Sequence, residues 1–138
     1  MSKLKKWGIL ALTGGIIYGL IEFFFRGYTH WTMVLLGGIC FIAVGSLNEQ
    51  YDWETPFILQ MLGGGLIITL LEFATGYIVN IILGWNIWDY SDEWLNLLGQ
   101  ICPKYTCFWI LLSAVAIVLD DYLRYKYFNE EKPRYKLF

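Results

Sequence analysis

Two glutamates lie inside apolar stretches of the chain, within segments of nearly the same sequence. Glu22 belongs to the segment at residues 14–28, and Glu72 belongs to the matching segment at residues 64–77. A carboxylate inside a lipid bilayer is energetically costly, so such residues ordinarily mark a binding, ion or proton site. The pattern therefore predicts an intramembrane carboxylate site, and its repetition indicates an internal duplication.

A face of small and polar residues runs along the second of these stretches. Its members recur at helical spacing, and they are Gly65, Thr69, Glu72, Gly76 and Asn80. Small residues let membrane helices approach closely, and polar residues hydrogen-bond across the interface. The face is therefore predicted to be a helix contact that carries the candidate site.

Glu22 has a potential counter-ion on its own helix. Arg26 follows it by four residues, a spacing at which the two side chains can pair. Glu72 lies deeper in its stretch and has no such base beside it. Two interpretations stay open: the glutamates are polar packing groups that fix helix register, or they bind a polar head group, an ion or a proton.

The elements that must hold these residues are membrane helices. Of the 138 residues, 57% are hydrophobic and 16% are charged, whereas about 25% are charged in soluble domains. A spanning helix needs roughly 20 apolar residues. We predict a single all-α membrane domain over residues 1–138, built as two related hairpins. Its four transmembrane spans are expected at about residues 7–28, 31–47, 56–84 and 107–123.

The basic residues predict how the spans are oriented. Eight of the ten lysines and arginines lie in the two tails, and such residues concentrate in the cytoplasmic segments of membrane proteins. Both termini are therefore predicted to be cytoplasmic, including the tail at residues 124–138. The long connection at residues 85–106 is then the outer loop.

This outer loop is rich in aromatic residues. Trp85, Trp88, Tyr90 and Trp94 fall within ten residues, a composition typical of the membrane interface. The segment is predicted to be an aromatic loop or to contain a short interfacial or re-entrant helix over about residues 93–98. One interpretation makes it an anchor that only fixes the depth of the protein in the bilayer.

The other interpretation makes the outer loop a lid over a polar cavity between the two glutamates. Asp89 and Asn96 would then face inward, and the Trp88-Asp89-Tyr90 stretch would form the outer gate. The candidate ligand-binding residues in this arrangement are Glu72, Glu22, Arg26, Asn80, Trp88, Asp89, Tyr90 and Asn96.

Metal and nucleotide chemistry have little support in the sequence. The three cysteines and the single histidine lack the spacing of a zinc site, and no P-loop motif is present. We therefore predict no metal, no cofactor and no nucleic-acid partner. Cys102 and Cys107 flank a short polar turn, and the sequence leaves open whether they pair.

Paired polar residues at the predicted cytoplasmic ends of the second and fourth spans form another candidate set. They are Asn48-Glu49 and Asp120-Asp121. Paired acids at a membrane surface can bind a divalent cation or pair with bases. Because Arg124 follows Asp120 by one helical turn, a surface ion pair is the simpler interpretation.

One string of residues resembles a known family. It comprises Leu71-Glu72-Phe73, Gly76, Gly84-Trp85, Trp88-Asp89-Tyr90-Ser91, Asn96-Leu97 and Gly99-Gln100. The string is similar to that of the bacterial ABC-transporter type IV family, also called CmpB-like, over about residue 14 to the C-terminus. The resemblance implies a small multi-pass protein of the bacterial cytoplasmic membrane. It also implies a transport role, but it identifies neither a substrate nor a catalytic residue.

Three functions follow, and we favour a non-enzymatic one. The first is a membrane transport or permease component with Glu72 and Glu22 as its site, working as a homo-oligomer or with a partner membrane or ATPase subunit. The second is a lipid-binding or lipid-modifying protein, with a head-group-sized cavity opening sideways between spans and, if an enzyme, Glu72 and Asp89 as acid–base pair. The third is a structural or sensory subunit with tightly packed glutamates. Membrane lipid is an expected partner.

Overall fold

Four long helices make up the fold. A computed structural model of the protein describes residues 2–52 and 54–136, and within these it contains no β-strand. Each helical span is long and apolar enough to cross a membrane, which confirms an all-α multi-pass membrane protein. The elements are α1 (Lys3–Arg26), α2 (Trp31–Glu49), α3 (Phe57–Gly76) continued by a π-helical segment (Tyr77–Ile82), and α4 (Pro103–Tyr127).

Two helices begin one turn earlier than the apolar runs predict. α1 starts at Lys3 rather than residue 7, because the Ser2 Oγ accepts the Lys5 N–H at 3.2 Å and caps the helix. α4 starts at Pro103 rather than residue 107. Proline fits the first helical turn, where its missing N–H costs nothing, so the polar residues before Cys107 are helical. α4 also continues to Tyr127, into the predicted tail, whose last two residues lie outside the described part.

The helices pack as two hairpins, α1 on α2 and α3 on α4. Glycines permit both close approaches. A Cβ added at Gly38 would lie 2.6 Å from the Ala11 carbonyl oxygen, and one at Gly64 would lie 2.6 Å from the Ser113 Oγ. Such small residues let the backbones of membrane helices approach closely. α2 also packs on α3 and α4 and so joins the hairpins.

Among the described residues, α1 and α4 share no extensive interface. They approach each other at the end of the bundle that carries the chain termini, which we call the terminal end. There the Lys6 Nζ lies 5.3 Å from the Phe128 ring centroid, and Leu10, Phe41 and Phe128 form a small buried cluster. The opposite end, which carries the long connection between the π-helical segment and α4, is the loop end.

The loop at the loop end contains no helix among its residues, so the predicted helix over 93–98 is wrong. Leu95 and Leu98 adopt left-handed backbone angles, with φ of 53° and 54°, which cannot continue a right-handed helix. Asn96 fixes the turns instead. Its Nδ2 donates to the carbonyl oxygens of Ser91 (3.1 Å) and Glu93 (2.9 Å), and its Oδ1 accepts the Gly99 N–H at 2.9 Å.

Candidate functional site

Glu72 lies on α3 and is only 3% exposed. Its Oε1 accepts the Trp109 Nε1–H of α4 at 3.1 Å, and its Oε2 accepts the Tyr90 hydroxyl of the outer loop at 3.0 Å. Both donors come from elements distant in sequence. Glu72 is therefore the point at which α3, α4 and the loop are tied together.

Glu22 lies on α1 and is also buried, but its partners come from its own helix. The Tyr18 hydroxyl donates to its Oε1 at 2.8 Å, and the Arg26 Nη1 donates to its Oε2 at 3.1 Å. The Arg26 Nη2 then donates to the Ile87 carbonyl oxygen at 3.1 Å. This last bond links the end of α1 to the outer loop.

Two aromatic side chains connect the glutamates. Tyr18, which holds Glu22, and Trp109, which holds Glu72, have ring centroids 5.9 Å apart. The structure thus brings together two residues that are far apart in sequence, through a row of side chains that runs Glu22, Tyr18, Trp109, Glu72.

A cavity of about 440 Å³ lies under the outer loop, between α1 and α4. Both polar and aromatic side chains face it, including Glu22, Arg26, Trp88, Tyr90, Tyr105 and Trp109. We call it the head cavity. Its position at the loop end follows from the lack of an α1–α4 interface there.

A narrower cavity of about 90 Å³, the apolar crevice, extends toward the terminal end. Side chains from all four helices line it, and almost all of them are apolar, with Glu72 as the exception. The head cavity and the apolar crevice share Tyr18, Ile21 and Trp109 as lining residues. The two spaces are therefore adjacent.

The predicted polar face of α3 meets α4 and the outer loop. The Thr69 hydroxyl lies 3.0 Å from that of Thr106, and the Asn80 Nδ2 donates to the Gln100 Oε1 at 2.8 Å. The Asn80 Oδ1 accepts the Ile87 N–H at 2.7 Å. Asn80 lies in the π-helical segment, a form that is frequent at functional sites, and here it holds the loop rather than facing the head cavity.

Of the remaining candidates in the loop, Trp88 and Tyr90 both line the head cavity. Trp88 is buried and donates from its Nε1 to the Gln100 carbonyl oxygen at 3.1 Å. The Tyr90 ring stacks on Tyr105 with centroids 4.6 Å apart. Burial and the neighbouring Glu72 carboxylate raise the pKa of the Tyr90 phenol, so it stays a neutral donor to Glu72.

Asp89 and Asn96 differ in their position relative to the head cavity: Asp89 lines it, and Asn96 does not. Asp89 stands at the exposed rim of the head cavity, and both the Ser91 hydroxyl and the Ser91 N–H donate to its Oδ1. These bonds lower the pKa of the Asp89 carboxyl. Asn96 is occupied with the loop backbone. The hydrogen bonds of Glu72 and Asp89 go to different partners, so the structure does not join them as an acid–base pair.

The sequence missed four residues of the site, namely Tyr18, Gln100, Tyr105 and Trp109. Gln100 stood within the family-like string, and Tyr18 lies one turn before Glu22, which were available signals. Trp109 and Tyr105 lie in an ordinary apolar helix and carry no local signal. The three cysteines are free: Cys102 is buried and Cys107 is exposed.

Residues 3–136 match the family described as Putative ABC-transporter type IV, which confirms the resemblance found in the sequence. Searches of curated proteins and of solved structures each gave no significant match.

Proposed function

Because the chain belongs to this ABC-transporter type IV family, we propose that it is a membrane transport component that binds an amphipathic molecule between α1 and α4. The polar group of that molecule occupies the head cavity, and its hydrocarbon chain lies along the apolar crevice. The supporting observation is that the two spaces adjoin at Tyr18, Ile21 and Trp109. An apolar pocket with a few convergent polar groups is the usual form of a ligand site.

The proposed polar group is a protonated amine or a quaternary ammonium. Around the head cavity lie the carboxylates of Glu22, Asp89 and Glu93 and the guanidinium of Arg26. Lys104 pairs with Glu93 at 3.5 Å, so the balance of these groups is one negative charge. The same cavity has tyrosine and tryptophan rings in its wall, and aromatic faces attract such cations. Entry would be lateral, from the lipid, because α1 and α4 lack an extensive interface at the loop end.

The transport role also implies partners and an orientation. The partner that we propose is a membrane or ATPase subunit, which would supply ATP hydrolysis, since these 138 residues contain no P-loop motif. We propose that the chain forms one membrane domain in the cytoplasmic membrane, with both termini in the cytoplasm. C-terminal fusions test this: a green fluorescent protein fusion should fluoresce and an alkaline phosphatase fusion should be inactive, and the reverse pattern would contradict the orientation.

The binding proposal is tested with the protein in lipid nanodiscs and two single-chain probes, dodecyltrimethylammonium and dodecyl sulfate. Isothermal titration calorimetry, with empty nanodiscs as reference, should show saturable binding of the ammonium probe at least about tenfold tighter than the sulfate, a difference of about 1.4 kcal/mol. Glu72→Gln and Glu22→Gln should weaken it, and Glu54→Gln, at an exposed position, should not. Equal affinity for both probes, or unchanged affinity in both variants, would contradict the proposal.

A purely structural role is the second candidate, and one observation favours it. Each carboxylate oxygen of Glu22 and Glu72 already accepts a hydrogen bond within the protein. If the glutamates serve only to fix the helices, their substitution will lower thermal stability and leave probe affinity unchanged. The same titrations therefore separate the two candidates.

A further inference from the structure

A second polar cavity lies at the terminal end, opposite the proposed amphiphile site. Its volume is about 360 Å³. Residues from the end of α2, the start of α3, the end of α4 and the segment after α4 line it, among them Asn48, Glu49, Gln60, Asp121 and Arg124. None of these residues takes part in the site at the loop end.

Three carboxylates lie close together at the wall of this cavity, of which Glu49 and Asp121 line it directly. Glu49, Asp120 and Asp121 each offer one oxygen, and these oxygens lie within 4.8 Å of one another. Two oxygens that bind the same calcium-sized ion at 2.3–2.6 Å lie up to about 5 Å apart. The spacing therefore admits one divalent cation among the three carboxylates.

Neighbouring side chains hold Asp121 in place. The Asn48 Nδ2 donates to its Oδ1 at 2.9 Å and to its Oδ2 at 3.1 Å, and the Tyr135 hydroxyl donates to its Oδ2 at 2.7 Å. Each carboxylate oxygen has more than one acceptor direction, so these bonds leave capacity for a cation. Such bonds orient ligands around a metal.

An independent observation at the same cavity comes from Gln60, on the first turn of α3. This residue is only 4% exposed and lines the cavity. Its Nε2 donates to the Thr55 carbonyl oxygen at 3.1 Å, but among the described residues its Oε1 has no hydrogen-bond partner, and neither does the fully buried Oδ1 of Asp120. Buried polar atoms are rarely left without a partner, and the unpaired Gln60 oxygen, in the wall of a cavity that Glu49 and Asp121 also line, calls for a positive ligand.

The charges around the cluster also match a divalent ion. The Arg124 Nε lies 3.1 Å from the Asp120 Oδ2 and 3.6 Å from the Glu49 Oε1. The Arg124 Nη1 also lies 3.7 Å from the Glu130 Oε2, so Arg124 is shared among several carboxylates. At least two negative charges of the cluster therefore remain for a divalent cation.

We propose that Glu49, Asp120 and Asp121 bind a calcium-sized divalent cation at the terminal end, with the amide oxygen of Gln60 as a further ligand. Carboxylate and amide oxygens are hard ligands that suit Ca²⁺, Mg²⁺ or Mn²⁺ rather than softer metals. The ion would join α2, α3 and α4 at one point. The site is separate from the amphiphile site, so either proposal can fail without the other.

The experiment is a calorimetric titration of Ca²⁺ into protein purified without divalent cations in a neutral detergent. The expected result is one Ca²⁺ per chain, with weaker binding of Mg²⁺, whose shorter bonds suit the spacing less well. Ca²⁺ should also raise the unfolding temperature, because a ligand that binds the folded state stabilises it. Absence of saturable Ca²⁺ binding by the unmodified protein would overturn the proposal.

Matched variants locate the ion. Asp121→Asn keeps the shape of the side chain and should weaken Ca²⁺ binding at least about tenfold. Arg124→Gln removes the competing positive charge and should strengthen binding, a gain that misfolding would not produce. Glu131→Gln is the control, because Glu131 lines the same cavity but pairs with Arg134 at the surface. If it weakens binding as much as Asp121→Asn, the attraction is a general surface effect and the site is refuted.

Discussion

Glu22 and Glu72 occupy matching segments of the sequence, yet they have different surroundings. Glu22 takes both of its partners, Tyr18 and Arg26, from its own helix. Glu72 takes Tyr90 from the outer loop and Trp109 from α4, and among the described residues no cation pairs with it. One carboxylate is thus a local ion pair, and the other is a tertiary junction with neutral donors.

This difference indicates that the two copies of a repeated intramembrane carboxylate can take different structural roles. An ion pair within one helix neutralises its charge without help from the rest of the fold. A carboxylate held only by neutral donors depends on the whole bundle for its position, and no side-chain cation among the described residues competes with a ligand for it. Because of this asymmetry, we place Glu72 at the centre of the proposed binding site and Glu22 at its rim.

The largest expected effect is on stability when the two carboxylates are removed in turn. Glu72→Leu leaves the Trp109 N–H and the Tyr90 hydroxyl without an acceptor, at about 1–3 kcal/mol each. Glu22→Leu should cost less, because Arg26 keeps its bonds to Tyr28 and Ile87. Thermal unfolding in detergent measures both, with Glu54→Gln as an exposed control. Equal losses of stability in the two variants would contradict the proposed difference between Glu72 and Glu22.

A finer version of the comparison removes one hydroxyl from each site. Tyr90→Phe takes away a donor to Glu72 and also the tie between the loop and α3, so we expect a loss of about 1–2 kcal/mol. Tyr18→Phe leaves Glu22 its pairing with Arg26 and should cost less than about 1 kcal/mol. Hydrogen exchange should show faster opening of the loop in the first variant alone. Faster opening in both would mean that Glu22 also holds the loop.

A third variant tests whether Arg26 competes with the proposed cationic ligand. Arg26→Gln removes positive charge from the wall of the head cavity, and it should increase the affinity for dodecyltrimethylammonium several-fold. The cost in stability should be about 1–3 kcal/mol, because the buried Glu22 loses its charged partner. Titration in nanodiscs measures the affinity. A fall in affinity would indicate that Arg26 instead contacts the ligand.

The smallest effect is expected at Asp89, which the sequence had placed in the site. Asp89→Asn keeps an acceptor for the Ser91 N–H and hydroxyl, so the turn should persist. Affinity for the ammonium probe should stay within about twofold of the unmodified protein, since an exposed rim charge is screened by salt. A tenfold loss would restore Asp89 to the binding site.

The sequence predicted those features that depend on local pattern. The apolar runs indicated four spans, and the helical spacing of Gly65, Thr69, Glu72, Gly76 and Asn80 identified the face of α3 that packs on α4 and the loop. The start of α4 was missed by a turn because Pro103 and the polar residues after it look like a connection. Their position at the beginning of a helix makes them favourable there.

Features that depend on tertiary contacts could not be read from one sequence. The partners of Glu72 lie 18 and 37 residues away, and nothing local shows which way Trp109 faces. The outer loop has the caps and length of a short helix, but Leu95 and Leu98 take left-handed angles. Bonds from Asn96, Trp88 and Asn80, made across the loop and to the π-helical segment, stabilise that shape instead.

The central claim is that an amphipathic amine occupies the space between α1 and α4. A crystal structure grown from native lipid in a lipidic mesophase, with dodecyltrimethylammonium added, tests it most directly. The account predicts density that begins between Glu22 and Tyr90, passes Tyr18 and Trp109, and continues along the apolar crevice. A crevice closed by direct contact of α1 with α4, with both glutamates held as they are and no density beside them, would contradict it.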